Sequence, residues 1–261
     1  VLTYAIGAET TDLSTLYMNN SLYCTSKLVY ENLVDFDNGE IVPGLAESWE
    51  YNDDQTELTF HLRQGVTFHN GEPFNAEAVK TNLEHKQSNP SFYSLKGITD
   101  IQEIEIVDDY TITLHYDHPF YAYLQDFCWP DVNPMSAPEY IIPGDFQTIS
   151  GVAGTGPYIY DEYVAGEYTR VVRNEDYWGE TPYWDEVIVK YIPDSTSRLQ
   201  ALQTGEIDMI YGGTLLTYGE YDQALAMDGI DGQMAEKDTR VQVITTNATS
   251  PYLSDIRVRQ A

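Results

Sequence analysis

Thr59 to Phe74 reads TFHLRQGVTFHNGEPF, and this stretch decides the fold. Leu58-Thr59-Phe60-His61-Leu62-Arg63 alternates apolar with polar, the period of a half-buried strand. Gln64-Gly65 turns the chain, and Val66-Thr67-Phe68 resumes the alternation. Asn70-Gly71 is a second turn signal, a dipeptide that favours positive φ. Asn75 then stands where a helix cap is needed, because Ala76, Val79 and Leu83 follow at i, i+3 and i+7. Strand, turn and capped helix within so few residues indicate a mixed α/β chain.

Moving toward the amino terminus, Val1 to Ile6 reads as a strand and Thr10 to Asn20 as a polar loop. Tyr23 to Leu33 has helical spacing, and Asp37-Asn38-Gly39 is a turn. Moving the other way, Ser88 to Ser91 ends the capped helix. Ile104 and Ile106, a turn at Asp108-Asp109, and the alternating run Tyr110 to Tyr116 predict a hairpin. Phe120 to Phe127 fits a short helix. Beyond Gly151 come three strand-like runs, Tyr158 to Val164, Tyr168 to Arg173 and Glu186 to Ile192. A helix opening at Pro193-Asp194 and stopped by Gly205, a strand at Ile207 to Tyr211, a helix at Tyr218 to Ala226 and a strand at Val241 to Thr245 complete the reading. The expected architecture is α/β, a mixed sheet with helices, interrupted by a strand-rich insert.

The chain of 261 residues is long enough to bury a sizeable core. Thirteen Lys and Arg against 42 Asp and Glu give a formal net charge of −29. Such a surface repels polyphosphate backbones and anionic lipid, so no nucleic-acid partner is expected. It also keeps a protein soluble, and it biases any binding site toward cationic solutes. The 22 tyrosines suit contact surfaces, having a flat apolar body and a polar tip. Cys24 and Cys128 are too few for a disulfide framework or a four-ligand zinc site. They leave open one bridge in an oxidising compartment or two buried thiols. No apolar run approaches the length that spans a bilayer, and the start carries no signal-peptide pattern.

The sequence carries few signatures of catalytic chemistry. There is no G-x-S-x-G elbow, no Walker loop and no G-x-G-x-x-G. His115 and His118 are three apart, which on a strand puts them on opposite faces and makes them a poor metal pair. His69 sits beside the Asn70-Gly71 turn and fits a turn-fixing role better than a ligand role. With so many carboxylates, an acid pair of glycosidase type carries no information by itself. No catalytic residue, metal site or cofactor is expected, and the chain is not expected to be an enzyme. Aromatics at element ends remain, among them Tyr17, Tyr23, Phe92, Tyr93, Trp129 and Tyr211.

Six segments together resemble family 5 bacterial extracellular solute-binding proteins, the peptide- and nickel-binding group. Ile41 to Trp49 looks like that family's "hPxLAxSW" segment, and Thr59 to Phe74 like its "F-x-LR-x-GV-x-FH-x-G-x-PF" signature. Gly154 to Tyr158 matches "GTGPY/F", and Arg173 to Gly179 matches "RN-x-x-YWG". Ile192-Pro193-Asp194 with Arg198, then Gly205 to Asp208, matches "IPD-x-x-x-R…G-x-ID", and Ile256 to Ala261 resembles "D-x-RVRQA". The matches are collinear over essentially the whole chain.

The resemblance implies a lobe of the type II periplasmic-binding-protein kind, and a division of the chain. Residues 1–39 and 150–261 would form the main subdomain of lobe one and residues 40–149 an inserted subdomain, with the second lobe absent from this chain. It implies capture of a small ligand, an oligopeptide or a nickel or other metal chelate, between two lobes that close about a hinge. Delivery to the permease of an ABC importer follows, from a monomer that is periplasmic or anchored, as a lipoprotein, at the cell surface. By resemblance the ligand contacts are Tyr17, Met18, Tyr23, Phe92, Tyr93, Trp129 and Tyr211. Nickel-binding members carry Arg near the position of Phe92 and in the segment matching Trp129 to Pro138, and here both segments lack it. That departure removes an ionic clamp for a carboxylate-bearing chelator and leaves peptides open. Two alternatives stand beside this reading, a secreted carbohydrate-binding module or carbohydrate-active enzyme, and a sensor or adhesion module on the same fold.

Overall fold

A computed structural model of the chain describes residues 1–9, 23–37, 39–119, 122–129, 134–146, 148, 150–211 and 216–232, with the backbone alone for Tyr23 and Cys24. Two compact units divide it, Val1–Glu220 and Tyr221–Ala261, and every strand among the described residues lies in the first.

The chain opens with strand β1 (Leu2–Ile6), helix α1 (Tyr23–Val29) and a hairpin of β2 (Val34–Asp37) and β3 (Glu40–Pro43). Strands β4 (Ala46–Tyr51) and β5 (Glu57–Leu62) follow, then helices α2 (Ala76–Ser88) and α3 (Lys96–Thr99), strands β6 (Ile101–Asp108) and β7 (Thr111–Tyr116), and helix α4 (Tyr123–Asp126). The last part holds β8 (Tyr158–Val164), β9 (Tyr168–Arg173), β10 (Glu186–Tyr191), α5 (Ser195–Thr204), β11 (Met209–Ile210) and α6 (Tyr218–Leu225), which runs into the second unit.

Two larger sheets result. One is antiparallel throughout, in the order β4-β5-β7-β6. Leu58, Phe60 and Leu62 of β5 are buried while Glu57, Thr59 and His61 are only half-buried, the alternation read from the sequence. The buried face packs on α2, whose cap forms as expected: Asn75 Oδ1 accepts from Ala78 N at 3.0 Å. Ala76, Val79 and Leu83 enter a core whose members run from Leu33 to Ala153. Val66 to Phe68 does not extend β5, and only a single bridge, Thr67 to Pro73, forms there.

The other sheet is mixed, in the order β11-β1-β10-β9-β8. β1 runs parallel to β10 and to β11, while β10, β9 and β8 are antiparallel. Tyr4, Ile6, Val171, Val187 and Val189 cover one face with Val29 and Tyr30 of the α1 region. On the other face Ala5 meets Ala201 and Ile207. α5 begins at Asp194, whose carboxylate accepts from Ser197 N at 2.8 Å, and ends at Gly205 with φ +71°, where a side chain would be strained. α1 stops four residues short of the expected Leu33, because Asn32 and Leu33 give their carbonyls to Leu45, Gly44 and Ala46 instead of a helix. Val241 to Thr245 lies outside the described residues.

Candidate functional site

The segments that stand out in the sequence meet in space. Gly156 N donates to the Val29 carbonyl at the end of α1 at 2.9 Å. A Cβ on Gly154 would lie 2.0 Å from Val29 O, so only glycine permits this approach. His69 holds the same Gly-Thr-Gly run from the other side: its backbone N donates to Gly154 O at 2.8 Å and its Nε2 to Gly156 O at 2.9 Å. Asn174 adds a bond from Nδ2 to Gly156 O at 3.2 Å. His69 therefore fixes the Gly154–Gly156 run, not merely the turn beside it. Burial holds its imidazole below the usual histidine range and favours the neutral ring.

Glu31 is the acceptor at the centre. Its carboxylate takes bonds from Thr155 Oγ1 at 2.8 Å, Tyr177 Oη at 2.7 Å and Trp178 Nε1 at 2.8 Å. Burial pushes the Glu31 carboxyl above its ordinary range, against the pull of those donors, and burial also raises the Tyr177 phenol. The Arg63 guanidinium lies 4.2 Å from the Trp178 ring centre and donates to Gly44 O from Nε at 3.3 Å and Nη2 at 3.2 Å. All the charge here is spent within the fold. This node welds the mixed sheet to the antiparallel one and leaves no group poised for nucleophilic or acid–base chemistry among the residues named.

The neighbouring residues carry a different task. Asn32 Nδ2 donates to Cys128 O at 3.2 Å, and Glu31 O accepts from Met135 N at 2.9 Å. Trp129, next to Cys128, is 53% exposed. Cys128 is a free, buried thiol that burial pushes up to about 12, so it is inert as a nucleophile.

The other candidate contacts are distributed as follows. Tyr93, at the end of a 3-10 turn, is 75% exposed. Tyr211 follows β11, is 43% exposed, and sets its ring edge-on to Tyr4 with centroids 5.9 Å apart. It lies at the carboxyl ends of the parallel strands, where α/β sheets hold ligands. Tyr23 is the first residue of α1, and Tyr17 and Met18 lie outside the described residues. Phe92 departs from the expected contact role: its ring is fully buried in the core with Leu83, Leu95 and Ile98. The Pro90–Phe92 turn points Phe92 inward and leaves Tyr93 outside.

His115 lies between Glu105 at 3.0 Å and Glu57 at 3.5 Å, and His118 bonds Asp117 and Tyr123. Among the described residues no group of three or more His, Cys, Asp or Glu side chains forms a metal centre. Among them, too, no helix is long and apolar enough to cross a membrane.

Sequence reasoning passed over Glu31, Asn32 and Lys86. The first two gave no periodic signal. Lys86 had one: it continues the apolar stripe Ala76, Val79, Leu83 at the next helical step, where an ammonium is out of place.

Comparison with known proteins agrees with this architecture. The chain is 32% identical over 258 residues to the nickel-binding periplasmic protein of Escherichia coli (strain K12), covering 94% of this chain and 47% of that one. It is 30% identical over 267 residues to heme-binding protein A of Haemophilus influenzae, covering 92% and 48%. The chain thus spans about half the length of the curated relatives it matches. Among solved structures, NikA from Brucella suis in complex with Fe(III)-EDTA superposes with a TM-score of 0.80 at 32% identity, covering 87% of this chain and 46% of that one. DppA from Helicobacter pylori in complex with the peptide STSA gives 0.73 at 28%, covering 87% and 49%. These likenesses support the type II periplasmic-binding-protein fold and a binding role, and give the carbohydrate alternative no support. Residues 40–261 match the family described as bacterial extracellular solute-binding proteins, family 5 Middle, and the chain belongs to that family.

Proposed function

We propose that this chain is part of an extracytoplasmic receptor that captures a small solute, an oligopeptide or a metal chelate, and hands it unaltered to the permease of an ABC importer. The observation that carries the reading is the family match over residues 40–261, joined to a motif node whose charged groups are consumed in holding the fold. In this reading residues 1–39 and 150–261 form the main subdomain and 40–149 an insert, and the protein works as a monomer outside the cytoplasmic membrane. The solute contacts we propose are Tyr17, Met18, Tyr23, Tyr93, Trp129 and Tyr211. Phe92, buried in the core, is not among them. No arginine lies between Trp129 and Pro138, which favours a solute without a carboxylate at that place, or one bound through its cationic end.

Thermal denaturation against di- to pentapeptides, nickel with and without histidine, heme, glutathione and oligosaccharides tests it. A ligand at about 100 times its Kd stabilises by about 2.7 kcal/mol. A shift with peptides or a chelate supports the reading and selects between the two. A shift with oligosaccharides alone, or mass spectrometry showing the ligand chemically converted, overturns it.

A further inference from the structure

The carboxyl end of β1 leads to a carboxylate that no cation of the described residues neutralises. Glu9 Oε1 accepts from Tyr163 Oη at 2.6 Å and from Gly166 N in the turn between β8 and β9. These donors, Tyr163 foremost, hold the Glu9 carboxyl below its ordinary range, so the group is ionised at neutral pH. The basic side chains of this region are engaged elsewhere: Arg170 pairs with Asp161 and Glu162, and Lys190 with Glu206.

Glu9 lines a pocket together with the buried Ile6 and Val189 and with Tyr163, Tyr168 and Tyr191. Strand register gathers these residues. Ile6 pairs with Tyr191 across β1 and β10, and Thr169 of β9 lies between Val189 and Tyr163. Tyr168 Oη donates to Glu162 at 2.9 Å, and Glu167 adds negative charge beside it. The pocket therefore carries one sign of charge and three aromatic side chains. That combination recognises an organic cation, because a carboxylate accepts its N–H bonds while ring faces attract its charge. It offers a bare metal ion a single carboxylate, and among the described residues no metal-binding group forms there. The pocket stands at the same end of the mixed sheet as Tyr211, whose N donates to Ala5 O at 3.1 Å.

We propose that Glu9 is a specificity-determining residue which, with Tyr163, Tyr168 and Tyr191, takes an ammonium or guanidinium group of the solute. Tyr163 and Gly166 are positioning groups: they hold Oε1, which leaves Oε2 to the cation. The proposal deepens the receptor reading and rests on it for the solute, though not for the cation pocket itself. A peptide amino terminus and a Lys or Arg side chain present the same N–H donors to Glu9.

The test is isothermal titration of the parent protein and Glu9→Gln with Ala-Lys-Ala, with Ala-norleucine-Ala, and with both peptides acetylated at the amino terminus. Gln keeps an acceptor for Tyr163 and Gly166 and removes the charge. If the cation is a side chain, the parent is expected to bind Ala-Lys-Ala at least about ten-fold more tightly than Ala-norleucine-Ala; if it is the amino terminus, acetylation is expected to weaken binding as much. In Glu9→Gln either difference is expected to fall below about three-fold. A difference that persists in Glu9→Gln, or peptides that the parent binds with neither difference, overturns the proposal. The Gly166 amide resonance, read with n-butylammonium chloride against equal sodium chloride, is expected to shift in the parent and to stay still in Glu9→Gln. If no peptide binds while that shift is seen, the reading of the solute as a peptide fails and the cation pocket stands. An amide that stays still in the parent, or shifts equally in Glu9→Gln, overturns the pocket itself.

Discussion

Trp178 donates its indole N–H to the Glu31 carboxylate at 2.8 Å, across 147 positions of sequence. Two further donors, Tyr177 and Thr155, reach the same carboxylate from separate segments. Glu31→Ala leaves three donors without their acceptor, and equilibrium urea unfolding is expected to show a loss of about 3 kcal/mol or more. Glu31→Gln, which keeps one acceptor oxygen, is expected to lose less.

The same carboxyl makes stability depend on pH in an uncommon direction. Its folded pKa lies above the unfolded value, so the native state holds the proton more tightly. Its ionisation therefore costs native stability as pH rises from the ordinary carboxylate value through the raised one. From pH 4 to 7 the advantage in unfolding free energy of the parent protein over Glu31→Gln is expected to shrink, because only the parent loses ground. A parallel pair of curves would count against the assignment.

Gly154 and Gly166 are glycines for different reasons, and alanine separates them. At Gly154 a Cβ meets the Val29 carbonyl, whereas at Gly166 the surroundings are open and only the φ of +74° resists. Gly154→Ala is expected to cost about 3 kcal/mol or more, since backbone must move. Gly166→Ala is expected to cost about 1 kcal/mol.

Two of the aromatic candidates are expected to behave oppositely. Phe92→Ala removes a fully buried ring and is expected to cost about 3–5 kcal/mol by urea unfolding. Trp129→Ala removes a half-exposed one and is expected to leave stability nearly unchanged while weakening solute binding by isothermal titration. Unchanged affinity in Trp129→Ala would remove that residue from the contact set.

Local chemistry made much of this legible in advance. Asn75 caps the helix it is expected to cap, the helix expected to open at Pro193-Asp194 does so with Asp194 as its cap, and Gly205 ends it, because a cap is a bond made within a few residues. The strand at Ala46–Tyr51 went unseen because its alternation covers only Ser48 to Tyr51 and is broken by a register shift between Ala46 and Ser48. Phe92 and Tyr93 look alike in sequence, and only the turn tells which faces inward. Lys86 was hidden by its own charge, since a lysine is read as surface until the stripe it continues is counted. The Glu31 node joins segments far apart in sequence, and no local pattern reports such a meeting.

The position of β1 has a consequence in time. The antiparallel sheet is assembled from residues 46 to 116, whereas β1 waits for a partner: Leu2 pairs with Val187, and the next neighbour arrives with Met209. Ribosomes extend a chain at roughly 5–20 residues per second, so those partners emerge about 10 to 40 s after β1 does. During that interval β1 lacks both of its sheet partners and is open to whatever binds nascent chains.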